Sequence, residues 1–366
     1  MSELLMLPGP TPLPPQVLAA LTGPMINHRG PAWEALFAEV EAGLQWVFAT
    51  QQRVLALAGS GTTGMEAALV NLFSPGDRVL ALANGSFGER FADMARRYGL
   101  EVTLLAAAWG EPLDLVAFEA ALAAQPDLKA VLVVHNETST GRLNPLAQIA
   151  ALTRAHGALL IVDAISSLTS TPLPMDAWGL DVVLGASQKG LMVPPGLAFV
   201  ALSERAWAAH RQARLPRYTL DFSLALEYAQ QGWTPWTPPI SLFYGLQAAL
   251  GLMRAEGLAA IQARHLALQQ QVRQGARALG LELMISDEAQ ASRSVTPIFP
   301  PPGLSADAIR DHLRTQHQVV VGGGQRRLSG QIFRIGHLGW QHADTVGHAM
   351  AALAATLQAL MVVGRR

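Results

Sequence analysis

An α/β fold is what this 366-residue chain predicts: a large domain with a mostly parallel seven-stranded sheet between helices, plus a smaller C-terminal α/β domain. Two observations predict it. Between residues 54 and 203 the runs VLALA, RVLALAN, EVTLLAA, KAVLVVHN, ALLIVDA, DVVLGAS and LAFVALS alternate with segments of helical periodicity. Continuous apolar strands spaced by helices belong to a sheet covered on both faces. After residue 256 the order changes to LELMI, SVTPIFPP, a helix over 305–316, QVVVGGG, QIFRIGHLG and a last helix over 344–361, a few strands with two helices on one side.

In chain order, residues 1–20 read as an extended N-terminal arm, because repeated prolines disfavour helix, and such an arm is commonly tied down by a partner subunit. Residues 21–255 form the large domain. Within it the stretch LPRYTLDFSLALEYAQQGWTPWTPPISLFYGL, rich in Pro and aromatics, reads as an irregular excursion before a long helix over 248–280. Residues 256–366 form the small domain, with the boundary in or beside that helix.

The composition limits the function. With 50% hydrophobic and 14% charged residues, part of the surface is expected to be buried in an oligomer, at least a dimer. A net charge of −1 without runs of like charge offers no field for nucleic acid or anionic lipid. Neither a basic segment leading into an apolar stretch nor an uninterrupted apolar run of spanning length is present, so the expectation is a soluble, cytoplasmic protein with no membrane partner. The absence of cysteine removes disulfides, thiolate nucleophiles and cysteine-ligated metals. The histidines show no spacing with acids that suits a metal, and none is expected.

Three segments carry chemistry. In GSGTTG, Gly59, Gly61 and Gly64 spell G-x-G-x-x-G between a strand and a helix. A dinucleotide site needs an acid at the end of the next strand, but that strand ends LALANGS, and Asp77 lies before it. What remains is a single phosphate, held by the N–H groups of Gly61 and Thr62 and the hydroxyls of Ser60, Thr62 and Thr63, or an ordinary strand-to-helix turn. In ALLIVDAISSL, Asp163 closes a buried strand, either as a ligand-end carboxylate or as a turn cap. In DVVLGASQKGLMVPPG, Lys189 follows another buried strand, and the only other lysine, Lys129, precedes its strand and so sits at the opposite edge. A phosphate cradle, a carboxylate and one lysine on the same rim fit pyridoxal 5′-phosphate: the lysine bonds the aldehyde, the aspartate holds the ring nitrogen protonated, and the loop anchors the phosphate.

The order GSGT…MEAALVN, ANGSFGER, HNETSTG, VDAISSL, SQKG…PPG, TPPISLFYGL and FRIGHLG resembles the class V, fold-type I aminotransferases, in particular the alanine–glyoxylate and serine–glyoxylate branch. The resemblance runs nearly end to end, from PGPTPLPP and NHRGP to the last domain. It implies that Lys189 bonds the cofactor and shuttles the proton, with Gln188 contacting the cofactor and Asp163 pairing with the ring nitrogen. It places Ser60, Gly61 and Thr62 at the phosphate, Phe87 stacked on the ring, and Thr138 against the ring or its phenolic oxygen. Arg334 clamps the substrate carboxylate. Thr237 reaches the phosphate of the neighbouring subunit in a homodimer with shared active sites, while Thr234 stands where some relatives have a tyrosine. The implied activity is transfer of an amino group from a small L-amino acid, alanine or serine, to a 2-oxo acid such as glyoxylate or pyruvate. Aspartate- or phosphoserine-type class V aminotransferases and a cysteine-independent class V lyase are the alternatives.

Overall fold

The computed structural model describes residues 3–363. All seven apolar runs become strands of one sheet, in the order Val54–Gly59, Gly196–Leu202, Val182–Ala186, Leu159–Asp163, Ala130–Val134, Arg78–Ala83, Glu101–Ala106. Only Gly196–Leu202 runs antiparallel to its neighbours. Along Leu159–Asp163, Leu160 and Val162 face a layer with Phe48 and Phe199, whereas Leu159 and Ile161 face a layer with Leu69 and Phe91. Period-two alternation between two apolar layers is why the central strands carry no polar residue until they end. Glu101–Ala106 is the exception: it forms the far edge and is mostly exposed, so EVTLLAA is apolar without being covered.

A second sheet has the order Leu4–Met6, Val319–Gly323, Phe333–Gly336, Val295–Ile298, and its core gathers Met6, Leu268, Ile309, Phe333 and Leu353. Its first strand comes from the N-terminal arm, which pairs in parallel with Val319–Gly323 of the same chain. The arm is therefore tied down by its own chain, and its prolines do not exclude helix: Pro15 starts the helix Pro15–Ala20, where a missing N–H costs nothing.

Three expectations are corrected. The excursion contains a helix, Phe222–Ala229, started by Asp221, whose side chain accepts from the N–H groups of Ser223 and Leu224. The long helix is two, Ile240–Glu256 and Leu258–Ala278, separated at Gly257, whose φ of 86° only glycine adopts freely. LELMI forms no strand, only a single bridge between Leu283 and Ile298. The last helix, Ala343–Val363, is long and apolar enough to cross a membrane, with a mean hydropathy of 1.4 over residues 343–362. Its inward face, with Val346, Ala349, Leu353 and Leu357, packs into the core of the second sheet.

Candidate active site

Five segments leave the carboxyl ends of the large sheet's strands and meet around one cavity, the position where such sheets bind ligands. After Val54–Gly59 the backbone of Ser60 stays extended and the helix Gly61–Leu72 begins. Thr63 closes the turn, its hydroxyl accepting from the Ser60 N–H at 3.1 Å. The N–H groups of Gly61 and Thr62 lie in the first turn, where a helix has no carbonyl to offer them, so the positive helix end faces the cavity. Gly61 leaves room for Ile165, whose Cδ1 would lie 2.5 Å from a Cβ there and would have to shift.

Across the cavity, Asp163 ends its strand 4% exposed, and its Oδ1 accepts from the Ile165 N–H at 2.9 Å. Burial pushes its carboxyl up to about 6, against the pull of that N–H and of Lys189 and Arg90. Lys189 stands three residues beyond Val182–Ala186, and its Nζ donates to the Pro8 carbonyl at 2.7 Å. Burial first, and the Arg334 guanidinium second, lower its ammonium to about 8 while Asp163 opposes them. The arm covers this lysine closely. Thr11 donates from its N–H to the Gln188 carbonyl at 3.1 Å and from its hydroxyl to the Lys189 carbonyl at 3.0 Å. Gly9, with φ of 134°, lies where a Cβ would come within 2.5 Å of Nζ.

The other two segments supply the walls. The helix Ser86–Arg97 presents Phe87 and Arg90, with the guanidinium 4.7 Å from the ring centroid. After Ala130–Val134, Thr138 donates its hydroxyl to Ser166 Oγ at 2.6 Å, and Ser166 donates to the Asn136 carbonyl at 3.0 Å. Arg334, on Phe333–Gly336, is 5% exposed and donates from Nε to the Gly323 carbonyl at 2.7 Å and from Nη1 to the Thr138 carbonyl at 2.9 Å. Its Nη2 has no acceptor among the described residues. Burial lowers Arg334 to about 10, which leaves it cationic at neutral pH.

Ser60, Gly61, Thr62, Phe87, Thr138, Asp163, Gln188 and Lys189 thus line one cavity, and Arg334 joins it through Thr138. Thr237 does not line it; it lies in a separate apolar hollow with Ala56, Leu197 and Phe243, beside the strand Val54–Gly59. Lys129 sits at the opposite edge, its Nζ 2.5 Å from Asp77. Arg90, Asn136, Ser166 and the Pro8 carbonyl complete the site without having been picked out from the sequence. Arg90 had a signal, since it stands one helical turn beyond Phe87 in ANGSFGER. The Pro8 carbonyl had none, being a backbone atom.

The residues fit pyridoxal 5′-phosphate. The helix end offers unsatisfied donors for a phosphate, Asp163 offers a buried carboxylate for the ring nitrogen, and Lys189 offers the amine. The Gln188 side-chain oxygen, buried at the cavity with no partner among the described residues, still needs a donor.

Comparison with known proteins agrees with this geometry. The family model of aminotransferase class-V matches residues 4–336. A protein named soluble hydrogenase, small subunit, from a Synechococcus strain is 45% identical over 98% of this chain and 93% of its own length. The L-aspartate–glyoxylate aminotransferase of Paracoccus denitrificans is 40% identical over 91% of this chain and 85% of its own. Among solved structures, the alanine–glyoxylate aminotransferase of Nostoc superposes with a TM-score of 0.93 at 34% identity, covering 98% of this chain and 96% of that one. The chain belongs to the class-V aminotransferases, with the fold-type I architecture and a cavity for pyridoxal 5′-phosphate between Ser60 and Lys189.

Proposed function

We propose that this aminotransferase takes the amino group of a small L-amino acid, alanine or serine, and passes it to glyoxylate or pyruvate. The observation that carries the reading is a single amine, Lys189, facing Asp163 and the Ser60–Thr62 turn in one cavity, with one free arm of Arg334 beside it. The cofactor supplies an aldehyde carbon and a ring that accepts electrons from the substrate. Lys189, held to about 8, is partly neutral near neutral pH, so its Nζ takes the proton from the substrate α-carbon and returns it as an acid. Asp163 keeps the ring nitrogen protonated. Arg334 Nη2 holds the substrate carboxylate, and its Nε and Nη1 bonds to backbone fix the plane of the fork.

One observation favours a second reading, a donor with a side-chain carboxylate such as aspartate. Arg90 lines the same cavity and has neither an ion pair nor a hydrogen bond among the described residues. The hydrogenase name of the Synechococcus relative stays with that protein; this chain has no cysteine thiolate with which to hold a metal cluster. A homodimer in the cytoplasm completes the proposal. The dimer, though not the location, is supported by the exposure of Met25, Tyr218 and Trp236, at 68%, 71% and 41%, the last of which lines the hollow that holds Thr237.

The test is titration of the yellow, cofactor-loaded protein with L-alanine, L-serine and L-aspartate separately, without any oxo acid. Loss of the yellow colour with alanine or serine, and its return with glyoxylate or pyruvate, supports the first reading. Loss with aspartate alone supports the second, and a colour that no amino acid changes sinks both.

A further inference from the structure

Glu137 is wholly buried, yet its carboxylate does not line the cofactor cavity. Its oxygens collect four donors. Oε2 accepts from the N–H groups of Phe87 and Gly88, each at 3.0 Å, and Oε1 from the Ser139 N–H at 3.1 Å and the Ser139 hydroxyl. Ser139 Oγ in turn accepts from the Ser86 N–H at 2.9 Å. Ser86, Phe87 and Gly88 are the first three residues of the helix Ser86–Arg97, so three of the four donors that a helix start leaves unpaired are satisfied from another segment. Gly85, which precedes the helix, has no side chain to do this and no room for one: a Cβ there would lie 2.4 Å from Glu137 Cγ.

The capped turn is the one that brings Phe87, and one turn later Arg90, into the cavity. On the other side, the carbonyl of Thr138 accepts from Arg334 Nη1. The tripeptide 137–139 therefore holds the ring wall in one direction and the carboxylate clamp in the other.

We propose that Glu137 is a positioning residue, a cap supplied from a neighbouring loop that sets where Phe87 meets the cofactor ring and, through Thr138, where Arg334 meets the substrate. The proposal rests on the assignment of the cavity to pyridoxal 5′-phosphate. A carboxylate is required because all four of its partners donate. Glutamine keeps one acceptor oxygen and turns an NH₂ group towards N–H groups at the other end.

The test titrates cofactor-free wild type, E137Q, S139A and D114A with pyridoxal phosphate, reading the cofactor dissociation constant and its visible circular dichroism, with a thermal melt of each. Asp114 is the control, because it caps the helix Leu115–Ala123 through Val116 and Ala117 and lies away from the cavity. E137Q is expected to weaken cofactor binding by up to about tenfold, the size of a lost cap if the capped turn is ordered only with cofactor bound, and to reduce the dichroism. In the loaded enzyme it raises KM for the amino donor more than it lowers kcat. D114A is expected to melt earlier with cofactor binding and dichroism unchanged. An E137Q protein that melts earlier but binds cofactor like wild type overturns the proposal. If E137Q does not fold, S139A decides, since it removes one donor to Glu137 and the acceptor for Ser86. A smaller loss of affinity supports the role, and wild-type affinity and dichroism overturn it. Wild type that takes up no cofactor overturns the reading of the cavity itself, and the role of Glu137 with it.

Discussion

Lys189 is buried as an amine whose pKa falls to about 8 from an ordinary 10.5, and this has a consequence for stability that can be signed. Below pH 8 both the folded and unfolded chains carry the proton, and the folded state bears the full cost of the buried ammonium. Between pH 8 and 10.5 the folded chain releases the proton first, so stability rises with pH, and above 10.5 the cost is gone. At pH 7, cofactor-free Lys189→Met should therefore be more stable than cofactor-free wild type by up to about 3 kcal/mol, with the gain shrinking above pH 8; denaturant melts at pH 7 and pH 10 measure it. Asp163 runs the other way. Its carboxyl is raised to about 6 from 3.8, so its cost is present above pH 6 and absent below 3.8. For the clamp, Arg334→Ala should weaken every carboxylate substrate or inhibitor by roughly 1.5–3 kcal/mol, read as inhibition constants; unchanged constants would remove Arg334 from the site. Asp163 and Lys189 were legible because strand ends announce themselves: a polar residue that closes or follows an apolar run, as in LLIVD, has to emerge at the edge of the sheet, whereas Arg334, inside its strand, was legible only through the family resemblance. Arg90 and Glu137 were not legible in this way. Arg90 shows only its spacing from Phe87 on one helix, the partners of Glu137 lie mostly on another segment, and nothing local distinguishes a capping glutamate from a surface one.

Elements were legible in proportion to how much of their own burial they decide. The strands from Ala130–Val134 to Gly196–Leu202 are apolar up to their ends because both faces are covered, and their pattern could mean little else. Phe222–Ala229 was hidden by the prolines and aromatics around it, and the break at Gly257 by two amphipathic segments that share one phase. LELMI alternates like a strand but finds only one bridging residue, Ile298. Strand contacts also predict where a methyl group is not tolerated. A Cβ on Gly336 would lie 2.1 Å from the Leu7 carbonyl carbon, backbone that can yield only by moving the arm. Gly336→Ala should cost about 1–3 kcal/mol of stability, as overpacking does, and should also weaken cofactor binding, because the displaced arm carries the Pro8 carbonyl away from Lys189. Thermal melts and cofactor titration of one preparation separate the two effects.

At the scale of the whole molecule, the expected homodimer makes a quantitative prediction. In a chain mixture of Lys189→Ala and Thr237→Ala, a hybrid dimer that shares its sites has one site with both residues intact. If exchange is random, activity should recover to about a quarter of wild type, provided that each variant alone is inactive at limiting cofactor. No recovery, or a monomer in sedimentation, would place Thr237 outside the neighbour's site.

The arm that seals Lys189 also sets an order of events during synthesis. Leu4–Met6 leaves the ribosome about three hundred residues before its partner, Val319–Gly323. Until that partner emerges, the arm has no strand to pair with, and the Thr11 bonds to the Gln188 and Lys189 carbonyls alone have to hold it at the lysine. The large sheet can complete itself earlier, since Val54–Gly59 and Gly196–Leu202 are both made well before residue 319. A nascent chain halted between these two points should carry a finished sheet around a lysine that no paired arm yet seals, so closure of the catalytic cavity comes after completion of the large sheet.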